Sequence, residues 1–455
     1  MTSPSHTPSA HKVIRLQELV DIIFIQLEGE ENDTTDLQCG NDIERIDSQL
    51  FQTLASLART SQIFRVPATK YLWMVQFNIK PLLKLLPQDL WEENNGIFKF
   101  SGKRIITRED MLRINELRPR VLHLLDLTGD GLFSGIDTSS MSVISEFWPK
   151  PLLPNLRTIR SNSALDTIGL DPLIYVGSAL SSMEFCFGTW DERRLRALRL
   201  LPSACLNLRV LRIGDFDFDC IYPGGMNPLV SDLLSTALRG LWHLTRLETC
   251  PPDRMAMQHL TRLTSLDTLR FEITQDDVYV PEGGYTHIFP ETLRTLEVMT
   301  NSTESASNLL RSLVASPENL EIDFGFGDNL AGTRDLLSFI PMQMNNRKGG
   351  LKSLSLRARD QQYNHAISNG SLCMMDLEPI MELTRLTTLD ISLTPRVNLD
   401  DGDLLRLAQA LPLLEDLRLG NGTRTITVPT AVAFLSEADL AGDVDQRHGS
   451  SPTIS

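Results

Sequence analysis

Several features that would simplify a functional assignment are scarce or missing. The 455 residues include six cysteines, at positions 39, 186, 205, 220, 250 and 373, with no Cys-x-x-Cys pair and no histidine at finger spacing beside them. Such scatter supports neither a zinc site nor a disulfide framework, and the thiols read as free groups in a reducing compartment. No window approaches the roughly 18 uninterrupted apolar residues that a membrane span requires. The opening MTSPSHTPSAHKVIR has no apolar centre of a secretory signal. A soluble, non-secreted protein of the cytoplasm or nucleus is therefore expected. Positive charge is also short, with 43 Lys and Arg against 58 Asp and Glu and a formal net charge of −15. That balance disfavours broad binding to nucleic acid or anionic lipid.

Catalytic signatures are missing as well. The chain has no Gly-x-x-x-x-Gly-Lys-Ser/Thr, Gly-x-Gly-x-x-Gly, His-Glu-x-x-His or Gly-x-Ser-x-Gly, so an enzyme, a bound cofactor or a metal is not expected. His6 and His11 lie five apart, off the spacing of one helix face. One segment imitates a calcium loop: DLTGDGLFSGID (126–137) sets Asp126, Thr128, Asp130, Gly131 and Asp137 at template positions. The preceding VLHLLDL reads as a strand rather than an entering helix, and Asp137 stands where a bidentate Glu is usual. An ordinary Gly-rich turn is expected there.

What the chain has is a repeat. Leu-x-x-Leu-x-Leu or a variant recurs from residue 122 to residue 419. The best copies are Leu122-Leu125-Leu127, Leu208-Leu211-Ile213, Leu266-Leu269-Phe271, Leu293-Leu296-Val298, Leu351-Leu354-Leu356, Leu386-Leu389-Ile391 and Leu414-Leu417-Leu419, with weaker starts at Leu156, Leu180, Leu244 and Leu320. The mean spacing is roughly 29 residues, within the range of strand-and-helix repeats. In x-Leu-x-Leu-x, alternate side chains turn into a common core that no single copy can bury alone. Between copies, 227–244, 308–320 and 403–417 carry apolar residues three and four apart and predict helices. The pattern resembles the leucine-rich repeat family, although the Asn or Cys that usually follows its strand motif is mostly absent here. The implied fold is α/β, a parallel curved sheet with outer helices over residues 93–435.

The N-terminus reads differently. VIRLQELVDIIFIQL (13–27), FQTLASLARTSQIF (51–64) and VPATKYLWMVQF (66–77) form three apolar runs. The first two are separated by an acidic insertion, 28–48, whose composition favours a solvated loop. Glu18-Leu19, Ile23-Phe24, Leu57-Ala58-Arg59, Phe64 and Leu72-Trp73 occur in the order seen in an F-box, and KPLLKLLPQDLW (80–91) resembles the extension found in F-box proteins of mushroom-forming fungi. Two departures are Gln17, where that family usually has proline, and the long insertion. The reading is a three-helix module over 12–92, with polar tails at 1–11 and 436–455 expected to be disordered.

The resemblance implies docking on the small adaptor subunit of a cullin-RING ubiquitin ligase, with the repeats holding a client protein. Candidate adaptor contacts are Leu16, Glu18, Leu19, Ile22, Ile23, Leu57, Phe64 and Trp73. Two alternatives stay open: a protein-binding repeat scaffold with no ligase role, or a non-catalytic regulator of a small GTPase. In either case the helices could simply cap the repeat stack.

Between the two core positions of each copy, one residue faces away from the core. Reading it along the chain gives Asp126, Arg160, Glu184, Arg212, Glu248, Arg270, Glu297, Asp323, Ser355, Asp390 and Arg418. Charge alternates as far as Glu297, predicting a ladder of ion pairs between neighbouring strands. Beyond it, Glu297, Asp323 and Asp390 predict an acidic patch for a basic segment of the client.

Overall fold

Whether a leucine pattern builds a sheet depends on its strands keeping one register, and that register is visible in the computed structural model. It describes residues 51–60, 62–125, 135–148, 150–161, 177–186, 192–214, 228–273, 286–324, 330–344, 350–358, 371–393, 396–420 and 426–427. The expected first helix of the N-terminal module, the acidic insertion and both tails lie outside them. The chain divides into two units, Met1–Ala197 with Ser203–Leu208, and Leu198–Pro202 with Arg209–Ser455.

In the first unit, residues 51–60 are helical and a second helix covers Gln62–Met74. The expected break between Phe64 and Val66 does not occur. The helix runs through Pro67, which forgoes one backbone hydrogen bond because proline has no N–H. This helix leads directly into strand β1 (Val75–Gln76), which pairs in parallel with β2 (His123–Leu125); β3 (Thr158–Ser161) and β4 (Ser182–Cys186) follow in the same sense. The sheet thus begins inside the segment read as the helical module.

Leu124, Ile159 and Met183 stand opposite one another and are buried. The copy read as Leu122-Leu125-Leu127 is therefore corrected by one residue. Val121 and Leu124 are fully buried, whereas Leu125 is in register with Arg160 on the other face. A one-residue slip exchanges the two faces of a strand.

An antiparallel hairpin, Trp91–Asn94 with Ile97–Phe100, was not anticipated. Its loop is Asn95-Gly96, both with positive φ (52° and 79°), the combination that favours a primed two-residue turn. The hairpin is held by the Phe98 N–H donating to the Gly135 carbonyl and the Asp137 N–H donating to the Phe98 carbonyl. Asp137 itself caps the helix Thr138–Phe147, accepting from the Ser139 and Ser140 N–H groups. A further bond donated by the Ser139 hydroxyl does most to hold the Asp137 carboxyl below the usual range, and the two N–H groups add to it. The last residue of the apparent calcium loop is thus a helix cap.

In the second unit eight strands follow in parallel: β5 (Val210–Gly214), β6 (Arg246–Thr249), β7 (Thr268–Ile273), β8 (Thr295–Thr300), β9 (Asn319–Phe324), β10 (Ser353–Ala358), β11 (Thr388–Ser392) and β12 (Asp416–Leu419). A short antiparallel β13 (Ile426–Thr427) adds to the last. Leu211, Leu247, Leu269, Leu296, Leu320, Leu354, Leu389 and Leu417 form an unbroken ladder, none more than 5% exposed. Burying each such side chain contributes about 1.5–3 kcal/mol.

Backbone geometry repeats with the ladder. The carbonyls of Asp267, Arg294, Glu318, Lys352 and Thr387 each accept two successive N–H groups from the next strand. This is the leucine-rich-repeat architecture expected, an α/β stack.

The helices begin or end differently from the apolar runs. They cover Pro228–Leu238, Thr303–Ser312 and Asp401–Ala410. Caps explain two of the starts: Ser302 accepts from the Ser305 N–H, and Asp400 forms a capping box with Asp403. The leucines after residues 312 and 410 belong to turns and to the next strand, so their three-and-four spacing extends past the helix ends. Gly332 lets the helix Leu330–Met344 approach Thr303 closely, since a Cβ there would stand 2.0 Å from the Thr303 Oγ1.

Candidate interaction surfaces

Two surfaces come from the predicted residues, one in each unit. On the N-terminal helices, Leu54, Ala68, Tyr71, Met74 and Val75 form a buried cluster with Phe51, Leu57 and Phe64 packed partly against it. Leu57 and Phe64 therefore contribute to the module's own core. Trp73 is half-buried and outside that cluster. It lies seven residues after Val66 and ten after Ile63, which places all three on one side of the helix. Val66 is 74% exposed and Ile63 40% exposed.

The sequence reading missed Ile63 and Val66, although their spacing to Trp73 was visible. Leu16, Glu18, Leu19, Ile22 and Ile23 lie outside the described residues.

On the sheet of the second unit, the residues facing away from the leucine ladder also stand in register: Arg212, Glu248, Arg270, Glu297, Glu321, Ser355, Asp390 and Arg418. The copy beginning at Leu320 is corrected here. Leu320 stands opposite Leu296 and Leu354, the second core positions of their copies. The first core position is a buried Pro317, so a search for leucine misses it. Glu321 is the residue in the row. Asp323 lies two positions further, between Met299 and Arg357.

The ion-pair ladder exists within each unit. Arg160 approaches Glu184 at 3.6 Å, Arg212 and Arg246 reach Glu248 at 2.7 and 2.6 Å, and Arg270 reaches Glu297 at 2.9 Å. Asp126 lies outside the described residues.

The acidic run after Glu297 is not an open, unpaired patch, because Arg357 enters from the adjacent row. Its Nη1 donates to Glu321 at 2.8 Å and its Nε to Asp390 at 3.0 Å, spanning Ser355 on its own strand. Arg418 comes within 3.9 Å of Asp390. Glu297, Asp323 and Asp390 are all buried. Removing a carboxylate from water has a large cost unless cations and hydrogen bonds replace the water.

Compensation is incomplete at the centre. The Glu321 carboxyl is pushed above the usual range, first by burial and then by the charges of Asp323 and Glu297, with Arg357 and Arg270 opposing. Next to it, the Ser355 Oγ is buried with no hydrogen-bond partner.

Among the described residues no group of three or more His, Cys, Asp or Glu side chains is arranged to hold a metal ion, and no helix is long and apolar enough to cross a membrane.

No family model matches the chain, and no curated protein matches it. Among solved structures, the chain is similar to the crystal structure of the yeast Rad7 and Elc1 complex, at 15% identity over 90% of this chain and 92% of that one, with a TM-score of 0.29. That likeness carries nothing over to this chain.

Proposed function

We propose that the protein is a substrate-recognition receptor of a cullin-RING ubiquitin ligase, working in the cytoplasm or nucleus. In this reading its N-terminal helices dock on the small adaptor subunit and its repeats hold a client. The chain then supplies no bond-making chemistry of its own. Its contribution is to raise the effective concentration of the client near the transferred ubiquitin.

The observation that supports the reading is that Ile63, Val66 and Trp73 share one side of a helix whose other side packs Phe64, Ala68 and Tyr71 into the module's core. A residue as exposed as Val66 beside a tryptophan contributes little to the fold, whereas apolar anchors of this kind dominate interfaces. The helix lies in the segment whose residue order resembles an F-box.

Co-expression of the full chain with the adaptor tests the reading. The wild-type chain is expected to retain the adaptor through purification, and Val66→Glu to lose it without lowering the melting temperature. Ile288→Glu, at an apolar residue 60% exposed in the second unit, should retain it. No adaptor with the wild-type chain, or equal retention by Val66→Glu, contradicts the proposal.

A further inference from the structure

The face of the second unit's sheet carries a local charge imbalance. Its twelve outward positions on β8–β11 run Thr295, Glu297 and Met299; Asn319, Glu321 and Asp323; Ser353, Ser355 and Arg357; and Thr388, Asp390 and Ser392. Four are carboxylates and one is an arginine, a formal charge of −3. The flanking strands do not correct it, because β7 brings Arg270 with Glu272 and β12 brings Asp416 with Arg418, each pair cancelling.

A solvated face would tolerate this cheaply, but Asp390 is 2% exposed and Ser355 5%. Arg357 engages Oε1 of Glu321, one of the two oxygens of a carboxylate whose charge is opposed by burial and by its neighbours. Ser355, between Glu321 and Asp390 in register, has a buried hydroxyl with no partner. An unsatisfied buried hydroxyl and an under-compensated carboxylate side by side both lack one further polar group.

We propose that the face centred on Glu321 and Ser355 receives one arginine side chain from an exposed basic segment of a partner protein. A planar guanidinium carries five donors in a fixed fork. It can reach Glu321 and the neighbouring Glu297 together, and it reaches the Ser355 hydroxyl where Arg357, which spans that residue, turns aside. Charge complementarity selects a cation, and the breadth of the carboxylate row selects a forked donor over a compact ammonium. A bare divalent cation fits poorly, since the described carboxylates do not converge on a metal-holding geometry. The inference rests on the client-holding role proposed above and assigns the client's chemistry.

The test uses the full chain and a fluorescein-labelled ten-residue peptide alternating arginine with glycine, followed by anisotropy; a peptide with glutamine for arginine is the control. The arginine peptide is expected to bind and to weaken as salt rises, and the glutamine peptide not to bind. Glu321→Gln is expected to weaken binding about tenfold, a typical loss when one member of a charge pair is removed. Ser355→Ala, which leaves the charge unchanged, should weaken it severalfold. Asp267→Asn removes a partly exposed carboxylate elsewhere on the same unit and should leave binding unchanged.

Asp323→Asn provides a second removal of charge at the face should Glu321→Gln fail to fold, with a smaller loss expected. No binding by the wild-type chain, equal effects at Asp267 and Glu321, or displacement of the peptide by millimolar calcium would each overturn the assignment. Adaptor retention is measured separately, so a chain that keeps the adaptor and ignores the peptide refutes only this inference.

Discussion

Glu297 and Glu321 stand directly opposite each other on neighbouring parallel strands. Like charges so placed, about 4.8 Å apart, destabilise a sheet. The protein answers with one arginine on each side: Arg270 approaches Glu297 at 2.9 Å and Arg357 approaches Glu321 at 2.8 Å. The pair marks the place where the ladder of alternating charges stops cancelling.

Glu321 should therefore act against stability at neutral pH. Its carboxyl titrates above the ordinary 4.5, chiefly because of burial, so the folded chain holds the proton at a pH where the unfolded chain has released it. The stabilising contribution of that proton is complete below the unfolded value and is lost as pH rises through the folded one. Glu321→Gln is expected to melt a few degrees higher than wild type near pH 7, with the gain disappearing below pH 4.5. Thermal melts across that range check it, and a lower melting temperature at pH 7 would contradict it.

Removing Arg357 should do the opposite. Asp390 is buried and loses its 3.0 Å partner in Arg357→Met, keeping the Ser392 hydroxyl, which donates to it, and Arg418 at 3.9 Å. Breaking a fully buried pair costs about 3–5 kcal/mol, but the Arg357 side chain is 39% exposed, so roughly 1–2 kcal/mol is expected once solvent screening is counted. Adding Asp390→Asn should recover most of the loss, and a double-mutant cycle measures the coupling. Additive effects would show that the pair does not act as one.

The corrected register at the first full repeat strand is open to truncation. Leu124→Ala should cost about 2–5 kcal/mol, the usual range for a core leucine, because Leu124 is fully buried in register with Ile159. Leu125→Ala, on the other face and half-buried, should cost much less. The reverse order would restore the Leu122-Leu125-Leu127 phase.

Gly332→Ala tests the close approach of two outer helices. The added methyl meets Thr303, and overpacking of this kind costs about 1–3 kcal/mol. Denaturant unfolding should show the loss, and adding Thr303→Ala, which removes the hydroxyl that the new methyl meets, should recover part of it.

The leucine ladder was legible in the sequence because the core repeats the same side chain at the same strand position. Legibility failed where two patterns overlapped. VLHLLDL is apolar in both strand phases, so the leucines alone chose the wrong one. Pro317 occupies a leucine position, which shifted the reading from Glu321 to Asp323. Arg357 does not show in a pattern of one residue per strand, because a pairing arginine can stand one row along. The Asn95-Gly96 hairpin is written in its turn residues, which leucine spacing does not register. On the N-terminal helices, apolar spacing identified Leu57, Phe64 and Trp73 together, but only burial separates the two that fill the module's core from the one on the stripe of Ile63 and Val66.

Hydrogen exchange on the full chain, with and without the adaptor, tests the receptor account most directly. The account predicts added protection in the helix Gln62–Met74 on adaptor binding and unchanged exchange in the strands Thr295–Thr300 and Asn319–Phe324, which are reserved for the client. Protection of those strands by the adaptor, or no change in the helix, would contradict it.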